Sequence, residues 1–298
     1  MKILVAVDGS PKSLDAVRLV GRLVNPAVDT VAIYFSPLEL QRQLVGRPHA
    51  VIDGAVSGLR EEAMKFLPRG FTAEPEMISS LKSAAVGILE TAGEIAADMV
   101  VVGARGHGAI QSFLLGSVSR AVVHGASLPV LVARTPPPED RGLRVLVGHH
   151  AASTAAVSSL VGRMHWPAGT DGRVIGVTES LLAGPLPPWI EQRTRDPDTA
   201  AIAEAWKHEH DDEVTALSAT LTAFQQQLPP PFHGHPPIVA EGNPGEKIIA
   251  EATAHETDLI VVGRAPSDAF SRWLVGSTSE AILTTSPASV LIIPVERS

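Results

Sequence analysis

Asp98-Met99-Val100-Val101-Val102-Gly103 recurs 160 residues later as Asp258-Leu259-Ile260-Val261-Val262-Gly263. Each copy is an unbroken apolar run ending on glycine, the pattern of a parallel strand buried on both faces. The same offset matches Leu114-Leu115-Gly116-Ser117-Val118-Ser119 with Leu274-Val275-Gly276-Ser277-Thr278-Ser279. It also matches Leu128-Pro129-Val130-Leu131-Val132 with Ala288-Ser289-Val290-Leu291-Ile292. Working back, Ile3-Leu4-Val5-Ala6-Val7 is a similar run, and Asp8-Gly9-Ser10-Pro11 supplies turn and N-cap chemistry. Leu14, Val17, Gly21 and Val24 follow at helical spacing. Val145-Leu146-Val147-Gly148 repeats the run, and Val157, Leu160, Val161 and Met164 repeat the helix at an offset of 140. The offsets 160 and 140 differ by 20, so the second half has gained that many residues between its first helix and its last strands. The surplus is expected as loop around Ser180 to Thr199, where Gly184-Pro185-Leu186-Pro187-Pro188 and Asp196-Pro197 stand.

Each half then reads as five strands alternating with helices. Strands are expected near 2–7, 29–35, 72–78, 98–103 and 129–133, and near 143–148, 172–178, 236–241, 258–263 and 289–294. Helices are expected over Val51 to Leu67, Ala84 to Ala97, Thr199 to Gln227 and Gly245 to His255, with one starting near Ser117. This alternation predicts an α/β fold, two tandem doubly wound parallel-sheet domains over 1–134 and 143–298. The polar, Pro-rich segment 135–142 is the expected linker. A chain of 298 residues has room for both.

Composition removes several function classes. Hydrophobic residues make up 45%, enough to exclude a disordered chain. A net charge of −8 with no Lys/Arg run argues against nucleic acid as a partner. The absence of cysteine removes thiolate metal sites, disulfides and Cys nucleophiles together. The apolar start is only five residues long before Asp8, too short for a signal peptide, and no later run is long enough for a membrane span. The expectation is a cytoplasmic protein with no membrane partner.

The segment most informative for chemistry is Gly103-Ala104-Arg105-Gly106, nine residues, then Gly116-Ser117. It follows an apolar strand and precedes a helix. Doubly wound sheets bind ligands beyond the carboxyl ends of their strands. Glycines let backbone approach a phosphate, and the following helix N-terminus adds donors and partial positive charge. Ser117 and Ser119 can donate hydroxyls.

This spacing, with Val7-Asp8-Gly9-Ser10 at the end of the first strand, resembles the ATP-binding type of the universal stress protein (UspA-like) family in its tandem form. The resemblance covers nearly the whole chain as two copies. It implies a Rossmann-like, adenine nucleotide alpha hydrolase-like fold. It also implies ATP with Mg²⁺ held largely by the phosphates, and a nucleotide-dependent role in stress response. Carried over residue by residue, it places Asp8 near ribose or adenine, with Ala6 and Val7 lining the base pocket. Phe35 would contact adenine, and Val102 and Gly103 would pack under the ribose. Gly106, Gly116, Ser117, Val118 and Ser119 would hold the phosphates. Arg105 either pairs with a phosphate or faces water. Family members dimerise through the last strand, so Val130 to Ala133 and Val290 to Ile293 are expected to meet in an internal pseudo-dimer; a homodimer and an unknown protein partner remain open.

The second half departs from the pattern. Its acidic position falls on Gly148 or, with a gap, on His150, and Pro266 replaces the middle glycine. One ATP per chain is therefore expected. His208-x-His210-Asp211-Asp212, whose i and i+2 histidines face apart on a helix, and His233-x-His235, in a Pro-rich loop, read as solvated surface rather than metal sites. Gly242-Asn243-Pro244-Gly245 reads as a helix start. No catalytic constellation is visible. A slow ATPase or phosphotransfer protein using Ser117 or Ser119, and an adaptor with a vestigial site, are the alternative readings.

Overall fold

The computed structural model describes residues 1–38, 49–104, 115–134, 136–178, 197–264 and 276–295. In it the apolar runs become strands of a single sheet. The first half contributes β1 (Lys2–Val7), β2 (Thr30–Phe35), β3 (Glu76–Ser79), β4 (Met99–Gly103) and β5 (Val130–Ala133). The second contributes β6 (Arg144–Gly148), β7 (Asp171–Thr178), β8 (Ile238–Glu241), β9 (Leu259–Arg264) and β10 (Ser289–Pro294). The helices of the first half are α1 (Pro11–Leu23), α2 (His49–Met64), α3 (Ala84–Glu94) and α4 (Ser117–Gly125). Those of the second are α5 (Thr154–Arg163), α6 (Pro197–Gln225), α7 (Pro244–Ala254) and α8 (Ser277–Thr285). The strand order is β3-β2-β1-β4-β5-β10-β9-β6-β7-β8. Every neighbouring pair is parallel except β5 and β10.

Unbroken apolar strands are needed because both faces of the sheet are covered. On one face Ile3, Val5, Ile33, Met99, Val101, Leu131, Leu291 and Val261 pack with Val17, Ala63, Val157 and Leu221 of α1, α2, α5 and α6. On the other, Leu4, Tyr34, Val100, Val102, Val290 and Ile260 pack with Ile88, Val122, Ile248 and Ile282 of α3, α4, α7 and α8. Each core runs through both halves. The seam is the antiparallel pairing of Val132 with Val290, Leu131 with Leu291 and Val130 with Ile292. Both strands are apolar and buried, and as open edges they would invite aggregation. Among the described residues the edge strands are β3 and β8, four residues each and ending in polar Ser79 and Glu241.

The connection between the halves lies along α1. Arg22 donates to the carbonyls of Pro138, at 2.5 Å, and of Arg141. Arg18 faces Glu139 at 3.5 Å. Arg141 in turn forks onto both oxygens of Asp258, at 2.6 and 2.9 Å.

The repeated aspartates now have a reason. Asp98 accepts the backbone N–H of Lys2 through Oδ2 at 2.7 Å, and Asp258 accepts that of Arg144 at 2.7 Å. Each returns its own N–H to the same residue's carbonyl at 2.8 Å. The pair of bonds starts β1 against β4 and β6 against β9. Arg163 of the second half adds a 3.0 Å contact to Asp98.

One expectation is corrected. β3 begins at Glu76 rather than near 72, because Pro75 has no N–H to give a ladder. Thr72 instead anchors to Pro26 and Ala27 carbonyls, at 3.1 and 2.9 Å. The helix expected from Thr199 to Gln227 spans Pro197–Gln225, and the rest of the stretch expected as loop, residues 179–196, lies outside the described set.

Candidate functional site

The strand order reverses between β1 and β4: the chain steps from β1 outward to β2 and β3, then returns to β4 on the other side of β1. Crevices of this kind open at the carboxyl ends of the two strands. Asp8 follows β1 there and Gly103 ends β4.

After β1 the chain must turn sharply into α1, and Gly9 does so at φ +83°. Asp8 fixes that turn. Its Oδ1 accepts the Ser10 N–H at 2.9 Å and the Ser10 hydroxyl at 2.6 Å. The Asp8 N–H donates to Ser13 Oγ at 3.2 Å, and Ser10 Oγ caps α1 by accepting the Ser13 N–H at 3.2 Å. Asp8 as a residue is nevertheless exposed. Beside it, Ala6 and Phe35 are half-buried, while Val7 and Val102 are buried in the two cores. Any contact from Val7 or Val102 to a ligand is therefore mainly through backbone.

At the end of β4, the Ala104 N–H donates to Ala133 O at 2.7 Å, and the Gly116 N–H donates to Ala104 O at 2.8 Å. The chain that leaves β4 is thus clasped where it returns. Arg105 and Gly106 lie between these points, outside the described residues. Gly116 is the N-cap of α4, with no side-chain cap. The first-turn N–H groups of Ser117, Val118 and Ser119 have no acceptor within the helix. Ser117 is exposed and so is Val118. Ser119 is buried and its hydroxyl donates to Gly103 O at 2.6 Å. It braces the strand end against the helix rather than offering a proton outward, which weakens it as a phosphate donor or acceptor of a phosphoryl group.

One residue escaped the reading of the sequence. Arg120, exposed in the first turn of α4, is matched by Glu280 in α8. The signal lay one residue beyond the Val118-Ser119 and Thr278-Ser279 match. A cation beside the first turn favours an anionic ligand, whereas a carboxylate there repels one.

The second half builds the same place differently. The ladders align Gly148 with Ala6, since one pairs with Val262 and the other with Val102. His150, however, stands where Ser10 does. Ser153 Oγ donates to His150 O at 3.0 Å as Ser13 Oγ donates to Ser10 O at 2.9 Å. Neither Gly148 nor His150 is therefore the counterpart of Asp8: the two residues Asp8-Gly9 have none. His150 caps the turn with its ring, Nδ1 accepting the Ala152 N–H at 3.3 Å. Gly263 survives for packing, because a Cβ on it would lie 2.1 Å from that of Ser153. Ser279 reaches Gly263 O only at 3.4 Å. Pro266 lies outside the described residues.

The four histidines of the two H-x-H pairs meet partners within the fold. His208 pairs with Asp212 at 3.0 Å on its own exposed helix face, and His210 pairs with Glu241 at 3.1 Å. His233 meets Gln225 O at 3.0 Å, and His235 meets Asp171 at 2.7 Å. Among the described residues no group of three or more His, Asp or Glu is placed to hold a metal ion. None of their helices is long and apolar enough to cross a membrane.

A universal stress protein from Mycolicibacterium smegmatis is 27% identical over 305 residues, covering 98% of this chain and 96% of that protein. A protein of unknown function from Pseudomonas aeruginosa, PA1789, superposes over 99% of this chain and 92% of its own with a TM-score of 0.62 at 16% identity. A universal stress protein from Archaeoglobus fulgidus does so over 99% and 96%, with a TM-score of 0.56 at 20% identity. The model of the universal stress protein family matches residues 1–134 and 186–294, and the chain belongs to that family.

Proposed function

We propose that the first half binds one adenine nucleotide, ATP, at the β1–β4 crevice, and that the protein acts as a nucleotide-dependent regulator in stress response. The observation that carries this reading is the meeting of two unlike groups at one switch point. The carboxylate of the exposed residue Asp8 suits a ribose or base, and the uncapped first turn of α4, with Ser117 and Arg120, suits phosphates. The residues fit such a ligand: no acidic side chain stands in the first turn of α4. Mg²⁺, when bound, neutralises the phosphates and is held mainly by them, since the described residues offer it no cluster of carboxylates. The second half lacks Asp8-Gly9 and carries Glu280, so one site per chain is expected.

Calorimetry tests the reading. Wild type should take up one ATP per chain. Gly116→Val sets a β-branched side chain at the N-cap, where backbone must meet phosphate. It should weaken ATP at least about tenfold, or roughly 1.4 kcal/mol, with the fold intact. Asp8→Asn keeps an acceptor for Ser10 while removing the charge, and should weaken ATP without unfolding the turn. No uptake of adenine nucleotide by wild type, or unchanged affinity in folded Gly116→Val, would remove this function from the protein.

A further inference from the structure

α4 is only nine residues long, too short to stand alone, and is held by the packing of Val122 and Val123 and by contacts at its ends. Its N-terminal end is the proposed phosphate end. Its C-terminal end is gripped from the other half of the chain. Arg264, the last residue of β9, crosses the seam and donates Nη1 to Val123 O at 3.0 Å and Nη2 to Ala126 O at 3.2 Å. The guanidinium is half-buried. Its fork geometry lets one side chain satisfy two carbonyls that the last turn leaves open, and its charge complements the negative end of the helix dipole.

The arrangement is reciprocal. Arg134, just after β5, donates to Leu283 O on α8. Leu283 is the counterpart of Val123 at the 160-residue offset. The arginines do not correspond in sequence, since the residue matching Arg264 is Ala104 and the one matching Arg134 is Pro294. Two different positions thus supply the same grip on the same carbonyl. His124 and Glu280 approach at 3.4 Å between the last turn of α4 and the first turn of α8, which places the two helices end against end across the seam.

We infer that Arg264 is a positioning residue for the first-half nucleotide site: from the second half it anchors the C-terminal turn of α4 and so sets where the phosphate-facing first turn stands. The inference rests on the nucleotide reading given above. Arg264 acts through the helix rather than by contact with the nucleotide: a helix of nine residues moves as one body, so a shift of its last turn tilts the first about the Ser119–Gly103 contact. The second half then tunes phosphate affinity in the first without carrying a nucleotide itself.

The test compares ATP with adenosine. Both use the Asp8 side of the crevice, and only ATP uses the α4 end. In Arg264→Gln and Arg264→Lys, folding is checked first by circular dichroism and thermal melting. Calorimetry should then show ATP weakened about three- to tenfold in Arg264→Gln, the scale of a lost helix-end contact. Adenosine affinity should be unchanged, and Arg264→Lys should recover part of the loss, since an ammonium keeps the charge at the helix end but not the planar fork that spans both carbonyls. Equal losses for ATP and adenosine would show a general structural effect and overturn the inference, as would unchanged ATP affinity in both variants. If wild type binds neither ligand, the nucleotide reading itself fails and this one falls with it. That result is distinct from a variant that binds like wild type.

Discussion

Replacing Leu131 by alanine should destabilise both halves of the chain at once. Leu131 is fully buried and faces Leu291, also fully buried, directly across the β5–β10 ladder. Both belong to the core that also contains Ile3 and Val17 of the first half and Val157 and Leu221 of the second. Truncating a buried leucine costs about 2–5 kcal/mol, the upper part of the range where neighbours cannot collapse into the gap. A seam covered by α1 and α5 on that face leaves little room to collapse. With a urea m-value of roughly 3 kcal/mol/M, a loss of ~3 kcal/mol moves the unfolding midpoint down by about 1 M. The sequence provides the probe. Trp166, Trp189, Trp206 and Trp273 all lie in the second half, whereas the substitution lies in the first. If one core runs through the seam, tryptophan fluorescence and far-ultraviolet circular dichroism must shift together. The double variant Leu131→Ala/Leu291→Ala must fall short of the sum by about 0.5–3 kcal/mol, because the two cavities merge. A fluorescence midpoint that stays at the wild-type value while the dichroism midpoint falls would refute the reasoning, for the halves would then unfold separately.

Two further outcomes concern pH. Burial, and next the neighbouring His150, lower the pKa of His149, whose ring lies 5.0 Å from that of Phe224 and whose Nε2 is 3.1 Å from Thr154 Oγ1. The unfolded chain therefore takes up this proton first, and stability must fall as pH drops through the unfolded value near about 6.5, then level off below the lowered folded value. The urea midpoint of His149→Val, which restores the residue found at Val7, should decline less over that window than wild type; an identical decline would clear His149. Asp98 acts in the same direction at lower pH: burial raises its pKa, but the Lys2 N–H and the Arg163 guanidinium outweigh it, and the net shift is downward. Its contribution is present above the unfolded value near about 4 and is lost as pH falls through the folded one. Asp98→Asn should cost about 1 kcal/mol at neutral pH, discounted for a third-exposed side chain, and no extra loss in acid; thermal melts at neutral pH and near pH 3 check both.

The fold was legible because two buried faces force each strand into an unbroken apolar run, and because the runs occur twice. Nothing else places Met99 and Leu259 so firmly. The ends of elements were less legible. Whether Thr72 begins a strand depends on Pro26 and Ala27 lying beside it, which no local pattern announces. Pro197 reads as a loop residue or as the first residue of a helix, and only the helix behind it decides. At the candidate site, the glycine spacing marked where backbone turns, but not which hydroxyl is spent on the fold. Ser117 and Ser119 are alike in sequence; one is exposed and the other is tied to Gly103 O. The deletion of Asp8-Gly9 in the second half was hidden for a related reason. Strand register and helix register give offsets of 142 and 140, and only the ladders show that both are correct on either side of a shortened turn.

What the two copies share and where they differ both bear on function. Asp98 and Asp258 start their sheets with the same bonds. Ala96 and Glu256 turn the chain before them with positive φ, 51° and 47°. Ser119 and Ser279 both reach back to the glycine that ends the preceding strand. Leu283 and Val123 are both gripped from the opposite half. These devices hold strands, helix ends and the seam, and a copy that lost one would lose stability whether or not it bound anything. The changes that bear on the crevice are the missing Asp8-Gly9, the ring of His150 in place of a serine cap, and the exchange of Arg120 for Glu280. All three lie at the carboxyl ends of the central strands or on the first turn of the helix facing them. On the nucleotide reading proposed above, these three changes take ligand groups away from the second crevice while the bonds that start its strands and hold its helix ends are kept.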